Sequence, residues 1–144
     1  MSSSMPIPAP ETLSGDAAVE RLNSFCWHDS ILHELRIIRA RSADAAVFTL
    51  DLLSHWDTWL SRRTELHFDG CLAISADFAG GVVALSDGEM VAMAEPFSTG
   101  PHLERVAAKA PMFVTPEHRE FNLVLASTGS SVHVVFFLRV HKLQ

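Results

Sequence analysis

The polar side chains best suited to chemistry in this sequence are concentrated in two short segments, 27–30 and 55–59, which read Trp-His-Asp-Ser and His-Trp-Asp-Thr-Trp. We predict that they form the ends of two antiparallel strands, which brings their side chains together. Two imidazoles and two carboxylates in one place can bind a divalent metal ion or act as an acid–base pair. The candidate metal ligands are His28, Asp29, His55 and Asp57.

All three tryptophans of the chain lie in the same two segments. Tryptophan beside polar groups is also typical of a protein interface. As a binding surface, the set consists of Trp27, His28, Asp29, Trp56 and Trp59. A purely structural role stays open as well: Asp29 can form an Asx-turn, His28 can hydrogen-bond to the backbone, and the tryptophans can cover the end of the sheet.

Residues 25–33, Phe-Cys-Trp-His-Asp-Ser-Ile-Leu-His, resemble a loose group of small bacterial proteins. Those proteins carry an aromatic residue, then His-Asp and Ser or Ala, where their first strand begins. Some are described as immunity proteins against polymorphic toxins, and many are uncharacterised. The later Ser-Thr-Gly-Ser-Ser turn at 127–131 is similar to the ending of the same group. The resemblance implies a small non-enzymatic binding protein.

Motifs of the common enzyme classes are missing from the sequence. The chain has no P-loop, no Gly-x-Gly-x-x-Gly, no Gly-x-Ser-x-Gly and no His-Glu-x-x-His. Its two cysteines, Cys26 and Cys71, form no Cys-x-x-Cys pair, which excludes a zinc site built from thiolates. We therefore expect a non-enzymatic interaction or binding module without a cofactor, with an immunity-type role as one form of it. The alternative is a metal-binding protein or metal-dependent enzyme that uses the His/Asp cluster.

Charge and hydropathy restrict the partners. The chain carries 17 acidic and 11 basic residues, and its net charge is −6. Because binding to phosphates needs a basic face, we expect no nucleic-acid partner. An acidic surface suits a basic protein partner. No apolar run approaches the ~18 residues of a membrane span, so we expect no membrane contact.

Cysteine usage and the N-terminal segment predict the compartment and the domain boundary. Two thiols without framework spacing are typical of a reduced, cytoplasmic protein. Residues 1–13 are rich in Ser and Pro and contain no secretory signal, so we interpret them as a flexible tail. Residues 14–144 have a length that suits a single domain.

The spacing of apolar residues predicts an α+β domain, with a mostly antiparallel sheet of about six strands and two or three short helices packed on it. Helices are expected over 14–25 and 102–110. Asp69-Gly70 is a typical hairpin sequence, and it predicts a strand pair on either side of it.

Two further hairpins follow from alternating apolar residues. Strands 31–39 and 46–54 form the first, with Leu35 opposite Leu50. Strands 121–126 and 132–140 form the last, with Phe121 opposite Phe136. The last strand is apolar on its other face too, at Val135 and Phe137. We therefore expect either a helix or a second chain to cover that face, and the second option predicts a homodimer.

Overall fold

Nine strands and two helices make up the part of the chain that the computed structural model describes, residues 10–39, 43–53, 61–77, 89–126 and 128–143. The strands are β1 Glu11–Ser14, β2 Cys26–Ile38, β3 Asp44–Leu53, β4 Ser61–Cys71, β5 Ala73–Asp77, β6 Glu89–Phe97, β7 Arg119–Leu125, β8 Ser131–Phe136 and β9 Leu138–Leu143. The helices are α1 Gly15–Asn23 and α2 Pro101–Lys109, and a short 3-10 turn, Pro111–Phe113, follows α2.

Both helices lie where the sequence predicts them, with small differences at their ends. In α2, Pro101 occupies the first turn, where its missing N–H breaks no helical hydrogen bond. Neither of these described helices is long and apolar enough to cross a membrane.

The expected fold class is wrong, because the strands form one antiparallel sheet of nine rather than a six-strand sheet in an α+β domain. Of the described residues, 63% are in strands and 19% in helices, so the sheet dominates the fold. Two of these strands are not predicted by the alternation of apolar residues, each for a local reason. β1 has four residues, too few to show an alternation, and its first three, which we placed in the tail, pair with β9. β6 contains Pro96, which argues against a strand when only the sequence is considered.

The sheet has the order β1-β9-β4-β3-β2-β6-β7-β8-β5. β4 continues into β5 through Leu72 alone, and β8 continues into β9 through Phe137 alone. Nevertheless β4 pairs with β9, while β5 pairs with β8. Hydrogen bonds cross this shared bend, from the Leu72 N–H to the Val135 carbonyl (2.9 Å) and from the Phe137 N–H to the Asp69 carbonyl (3.1 Å). The sheet therefore curls so that its β4–β9 pair and its β5–β8 pair are joined at this bend, and it encloses one core.

Aromatic rings fill the enclosed space. The ring of Phe68 lies 5.3 Å from that of Phe48, 5.0 Å from that of Phe121 and 4.9 Å from that of Phe136. All four side chains are fully buried. Burial of each contributes ~3 kcal/mol or somewhat less to folding, so this cluster is a major source of stability.

The two helices cover different parts of the curled sheet. α1 contacts β1, β6 and β9, and it adds Ala18 and Leu22 to the main core. α2 contacts β5, β7 and β8. The Leu103 N–H of α2 donates to the Glu120 carboxylate on β7 (2.8 Å). Val135, the apolar residue on the outer face of β8, is fully buried, whereas Phe137 remains 38% exposed.

The register of the first hairpin is displaced by two residues from the expected one. Leu35 lies opposite Phe48 and not opposite Leu50. A shift of two keeps every side chain on its face, so the alternation that identifies the strands cannot detect it. A bulge between Leu32 and Glu34, nearer the start of β2, reverses the alternation. Leu32 is therefore buried in place of Ile31.

The last hairpin is present over β7 and β8, with the expected faces and a similarly displaced register. The strand expected over 132–140 is broken at Phe137, and beyond it β9 buries Arg139 and His141. Phe121 lies opposite Val134 and not opposite Phe136. The reason is a tighter turn, which closes when the Leu125 N–H donates to the Ser130 carbonyl (2.8 Å).

The hairpin expected at Asp69-Gly70 is wrong. Gly70 has the positive φ that such a turn needs, 64°, but the chain continues into β5 instead of turning back. This glycine allows the close approach of the two bent strands, because a Cβ on Gly70 would lie 2.9 Å from the Cβ of Phe137. A left-handed glycine serves a bent or bulged strand as well as a turn, and the dipeptide alone does not distinguish them.

We expect Gly70→Ala to lower the free energy of unfolding by ~3 kcal/mol, because alanine must adopt a left-handed conformation and its Cβ must also displace Phe137. Gly129→Ala is a matched control. Gly129 has a φ of 71°, and nothing lies within 4 Å of an added Cβ, so only the backbone cost of ~1 kcal/mol applies. Urea unfolding of both variants measures the difference, and equal losses would contradict the close packing of the bend.

Candidate functional site

The segment 27–30 forms a large bulge in β2 rather than a regular strand end. The flanking pairs are Cys26 with Leu53 and Ile31 with Asp51. Between them, four residues of β2 lie opposite one residue of β3. A bulge bends its strand and re-aims the side chains that it carries.

Ser30 and Trp27 hold this bulge from inside. The Ser30 hydroxyl donates to the Cys26 carbonyl (2.9 Å) and accepts from the Leu53 N–H (3.0 Å). Trp27 lies in the core, where its indole N–H donates to the Leu22 carbonyl (2.7 Å). Both side chains are buried. Their contacts give the serine and the tryptophan of the motif a structural role.

His28 and Asp29 lie at the surface of the bulge. Asp29 has a φ of 76°, and the Nδ1 atom of His28 is 3.1 Å from its carboxylate. The His28 side chain is 64% exposed. The other four predicted site residues lie outside the described residues: His55, Trp56, Asp57 and Trp59. The register that would bring them to His28 is displaced, and both the binding and the metal hypotheses for this cluster stay predictions. Among the residues that the structure describes, no group of three or more His, Cys, Asp or Glu side chains could hold a metal ion.

A different set of polar groups converges beyond the bend at Phe137. Before the bend the even-numbered residues point inward, and after it the odd-numbered residues do. Arg139 and His141 of β9 lie opposite Phe68 and Leu66 of β4, whose side chains are in the core. Opposed residues of an antiparallel pair point to the same side of a sheet. A guanidinium and an imidazole therefore point toward the interior.

Arg139 is fully buried and only partly paired. Its Nη2 atom donates to the Glu11 carboxylate on β1 (2.9 Å), while its Nε and Nη1 atoms have no hydrogen-bond partner in the described part of the chain. The same Glu11 oxygen accepts from Nε of Arg21 on α1 (3.0 Å). Burial lowers the pKa of the Arg139 guanidinium from its ordinary value, and Glu11 opposes that shift. One carboxylate thus serves two guanidinium groups.

His141 lies two residues farther along β9 on the same face, and it is 9% exposed. Its ring packs against Phe25 at 5.2 Å, and its Nε2 atom has no partner among the described residues. Burial lowers the pKa of His141 to about 4, with further contributions from the positive charges of Arg139 and Arg21. The imidazole is therefore neutral at pH 7.

His141 and Arg21 border a cavity of about 280 Å³, whereas Arg139 and Glu11 are not among its described lining residues. The lining combines cationic or polar side chains with apolar ones: Arg21, Phe25, Leu52, Arg62, Thr64, His141 and Leu143. No carboxylate belongs to that described lining. The Arg21 guanidinium lies over the ring of Phe25 at 4.7 Å and donates to Glu11 and Ser24, which fixes its orientation. Arg62 has no ion-pair partner among the described residues, and a guanidinium without an acceptor is suited to an anionic group.

Sequence reasoning missed this cavity. With 132–140 as one regular strand and its even-numbered residues inward, Arg139 is assigned to the outer face. The signal of the bend is the apolar run 134–137, where the alternation stops. The same run is typical of a strand covered on both faces, so it does not specify a bend.

We expect Ser30→Ala to lower the free energy of unfolding by ~2 kcal/mol, because the buried Leu53 N–H loses its acceptor. His28→Ala, two residues away at the surface, should change it by less than ~0.5 kcal/mol. Denaturant unfolding of both variants in metal-free buffer measures the two effects. A larger loss for His28→Ala would show that the motif stabilises the fold through its surface pair instead.

We expect the wild-type protein to lose up to ~3 kcal/mol of stability at His141 as the pH falls from 6.5 to 4. Across this range the unfolded imidazole takes up a proton, whereas the folded one, with its pKa lowered to about 4, does not. His141→Phe keeps a ring against Phe25 and removes the titrating group, so its stability should depend less on pH in this window. Unfolding free energies of both proteins at a series of pH values test this, and parallel pH profiles would contradict a buried neutral His141.

Comparisons with known proteins supply no assignment for this arrangement: no protein-family model, no curated protein and no solved structure matches the chain. The resemblance of residues 25–33 to immunity-type proteins therefore stays a prediction. So do the protein partner, the homodimer and the cytoplasmic location. The function has to be argued from the geometry of the cavity.

Proposed function

We propose that this chain is a non-enzymatic binding module that takes a small anionic ligand in the cavity between α1, β4 and β9. One observation carries the proposal. Nε and Nη1 of Arg139 and Nε2 of His141 are buried without a hydrogen-bond partner in the described structure, and His141 lines the cavity.

Unpartnered buried polar atoms are costly. Each costs ~1–3 kcal/mol relative to a paired one, and more when the group is charged. Most buried polar groups in folded proteins are paired for this reason. Stability is commonly sacrificed where a residue serves binding. An anion in the cavity would supply a counter-charge for the cationic groups beside these buried atoms.

The charge balance of the cluster also favours an anion. Two guanidinium groups, those of Arg21 and Arg139, share the carboxylate of Glu11. A third, that of Arg62, lines the cavity without an ion-pair partner among the described residues. The cluster is therefore locally positive in a chain whose net charge is −6. A concave site with low-dielectric walls concentrates such a field, so a small anion is attracted to the cavity although the whole molecule is acidic.

The chemistry of the cavity supports binding rather than catalysis. Among the described residues, no carboxylate hydrogen-bonds to His141, a neutral imidazole at pH 7, to orient it as a general base. The Thr64 hydroxyl already donates to the Arg62 carbonyl (2.9 Å). Burial raises the pKa of the Cys71 thiol to about 12, and this cysteine is not part of the lining, so it is no nucleophile there.

We expect Arg139→Met to bind acetate about threefold more weakly than the wild-type protein, because Arg139 does not line the cavity itself but places a buried positive charge two residues from His141. The free energy of unfolding should stay the same or rise by ~1–2 kcal/mol. Replacing a buried charge by an apolar side chain of similar volume is often neutral or stabilising. Glu11 is not left unpaired, because it retains Arg21. NMR titration with sodium acetate at constant ionic strength measures the binding through the backbone amides of β9.

Arg63→Met is the matched control for this experiment. Arg63 pairs with Asp51 on the outer face of the sheet (2.8 Å) and is absent from the cavity lining. This variant should bind acetate as the wild-type protein does. Failure of both acetate and inorganic phosphate to produce saturable shifts in the wild-type protein would refute the proposed function, as would an unchanged affinity in Arg139→Met.

A further inference from the structure

The lining of the cavity is chemically mixed. It combines the guanidinium groups of Arg21 and Arg62 and the neutral imidazole of His141 with the apolar side chains of Phe25, Leu52 and Leu143, and Arg62 lies directly opposite Leu52. Specific ligand sites are commonly built in this way, with a mostly apolar lining and a few polar groups that fix the orientation. This mixture predicts a ligand with one charged group and an apolar body.

The size of the cavity supports the same conclusion. Its volume of about 280 Å³ lies just below the range usual for small-molecule sites, and it corresponds to roughly nine water molecules at ~30 Å³ each. A carboxylate group alone, with three heavy atoms, would leave most of that space unfilled. The apolar side chains of the lining would then remain in contact with water, without the free-energy gain that burial of an apolar ligand body provides.

We propose that the ligand is a small monocarboxylic acid with a compact apolar body, such as an aromatic ring or a branched alkyl chain. This inference rests on the proposed function, because it specifies what the anion site binds. The carboxylate lies at Arg62, and the apolar body packs against Phe25, Leu52 and Leu143.

A group with one negative charge fits the arginines of the lining better than a multiply charged group does. Glu11 already accepts hydrogen bonds from both Arg21 and Arg139, so its carboxylate would repel additional negative charge beside them. Arg62 has no ion-pair partner among the described residues, whereas the adjacent Arg63 is paired with Asp51. The planar guanidinium of Arg62 is therefore available for two parallel hydrogen bonds to one carboxylate.

His141 contributes its ring to the site rather than a hydrogen bond. Its Nε2 atom is buried, so the carboxylate does not reach it from the cavity. The ring packs against Phe25 at 5.2 Å and extends the surface against which the apolar body lies.

Four probes test the inference on the wild-type protein by calorimetric or NMR titration: phenylacetate, phenylacetamide, acetate and inorganic phosphate. We expect phenylacetate to bind at least tenfold more tightly than acetate, because each buried CH₂-sized group contributes about fourfold in affinity. Phenylacetamide has the same body without the charge, and it should bind at least tenfold more weakly than phenylacetate.

Two variants test where the apolar body lies. Leu143→Ser replaces one apolar side chain of the lining by a polar one, and it should weaken phenylacetate binding about fivefold or more. Ile37→Ser is the matched control, because Ile37 is 52% exposed on β2 and does not line the cavity. That variant should bind phenylacetate as the wild-type protein does. The comparison of probes on the wild-type protein remains decisive if Leu143→Ser fails to fold.

The outcomes separate this inference from the proposed function. If acetate or phosphate binds as tightly as phenylacetate, an anion site exists but the apolar body is not recognised, and the inference is wrong. If a short peptide that ends in phenylalanine binds more than tenfold tighter than phenylacetate, the ligand is a chain terminus and not a free acid, which also overturns the inference. If phenylacetamide binds as well as phenylacetate, or if no probe binds, both proposals fail.

Discussion

The bend shared by the β4–β5 and β8–β9 segments determines which side chains of the sheet reach its interior. Before it, Val134 and Phe136 point inward and complete the aromatic core. After it, the inward positions belong to Arg139 and His141. Side chains alternate between the two faces along a strand. Because Phe137 lies outside this alternation, the residues of β9 after it point to the opposite faces from those that an unbroken strand would give them. The curl of the sheet and the polar end of its interior therefore have the same origin.

The two ends of that interior are stabilised by different means. The aromatic end is held by close packing of rings, which is non-directional and tolerates small displacements. The polar end depends on one carboxylate, that of Glu11, which is shared between Arg21 and Arg139. Its contribution is limited, since desolvation of charges offsets much of their attraction. We interpret the apolar end as the stable scaffold and the polar end as the part that gives up stability for binding.

The sequence is informative where a short pattern decides the structure. The two helices and the faces of β7 and β8 follow from periodicity, and the structure has them. Registers do not follow, because a shift of two residues, as between Leu35 and its partner, leaves every face unchanged. Gly70 shows a second limit: its left-handed conformation was expected, but the same conformation occurs in a turn and in a bent strand. The candidate site was missed for a related reason, since its residues come from segments whose contacts depend on the bend.

The ion pair between Arg139 and Glu11 joins residues 128 positions apart in the sequence. A polypeptide emerges from the ribosome with its N-terminal part first, so β1 and α1 are synthesised long before β9 exists. During that interval Glu11 and Arg21 can pair with each other, but the cationic cluster has no interior to point into. Closure of so long a segment of chain is entropically slow. The cavity is consequently incomplete until β9 has been translated, because His141 and Leu143 of that strand line it.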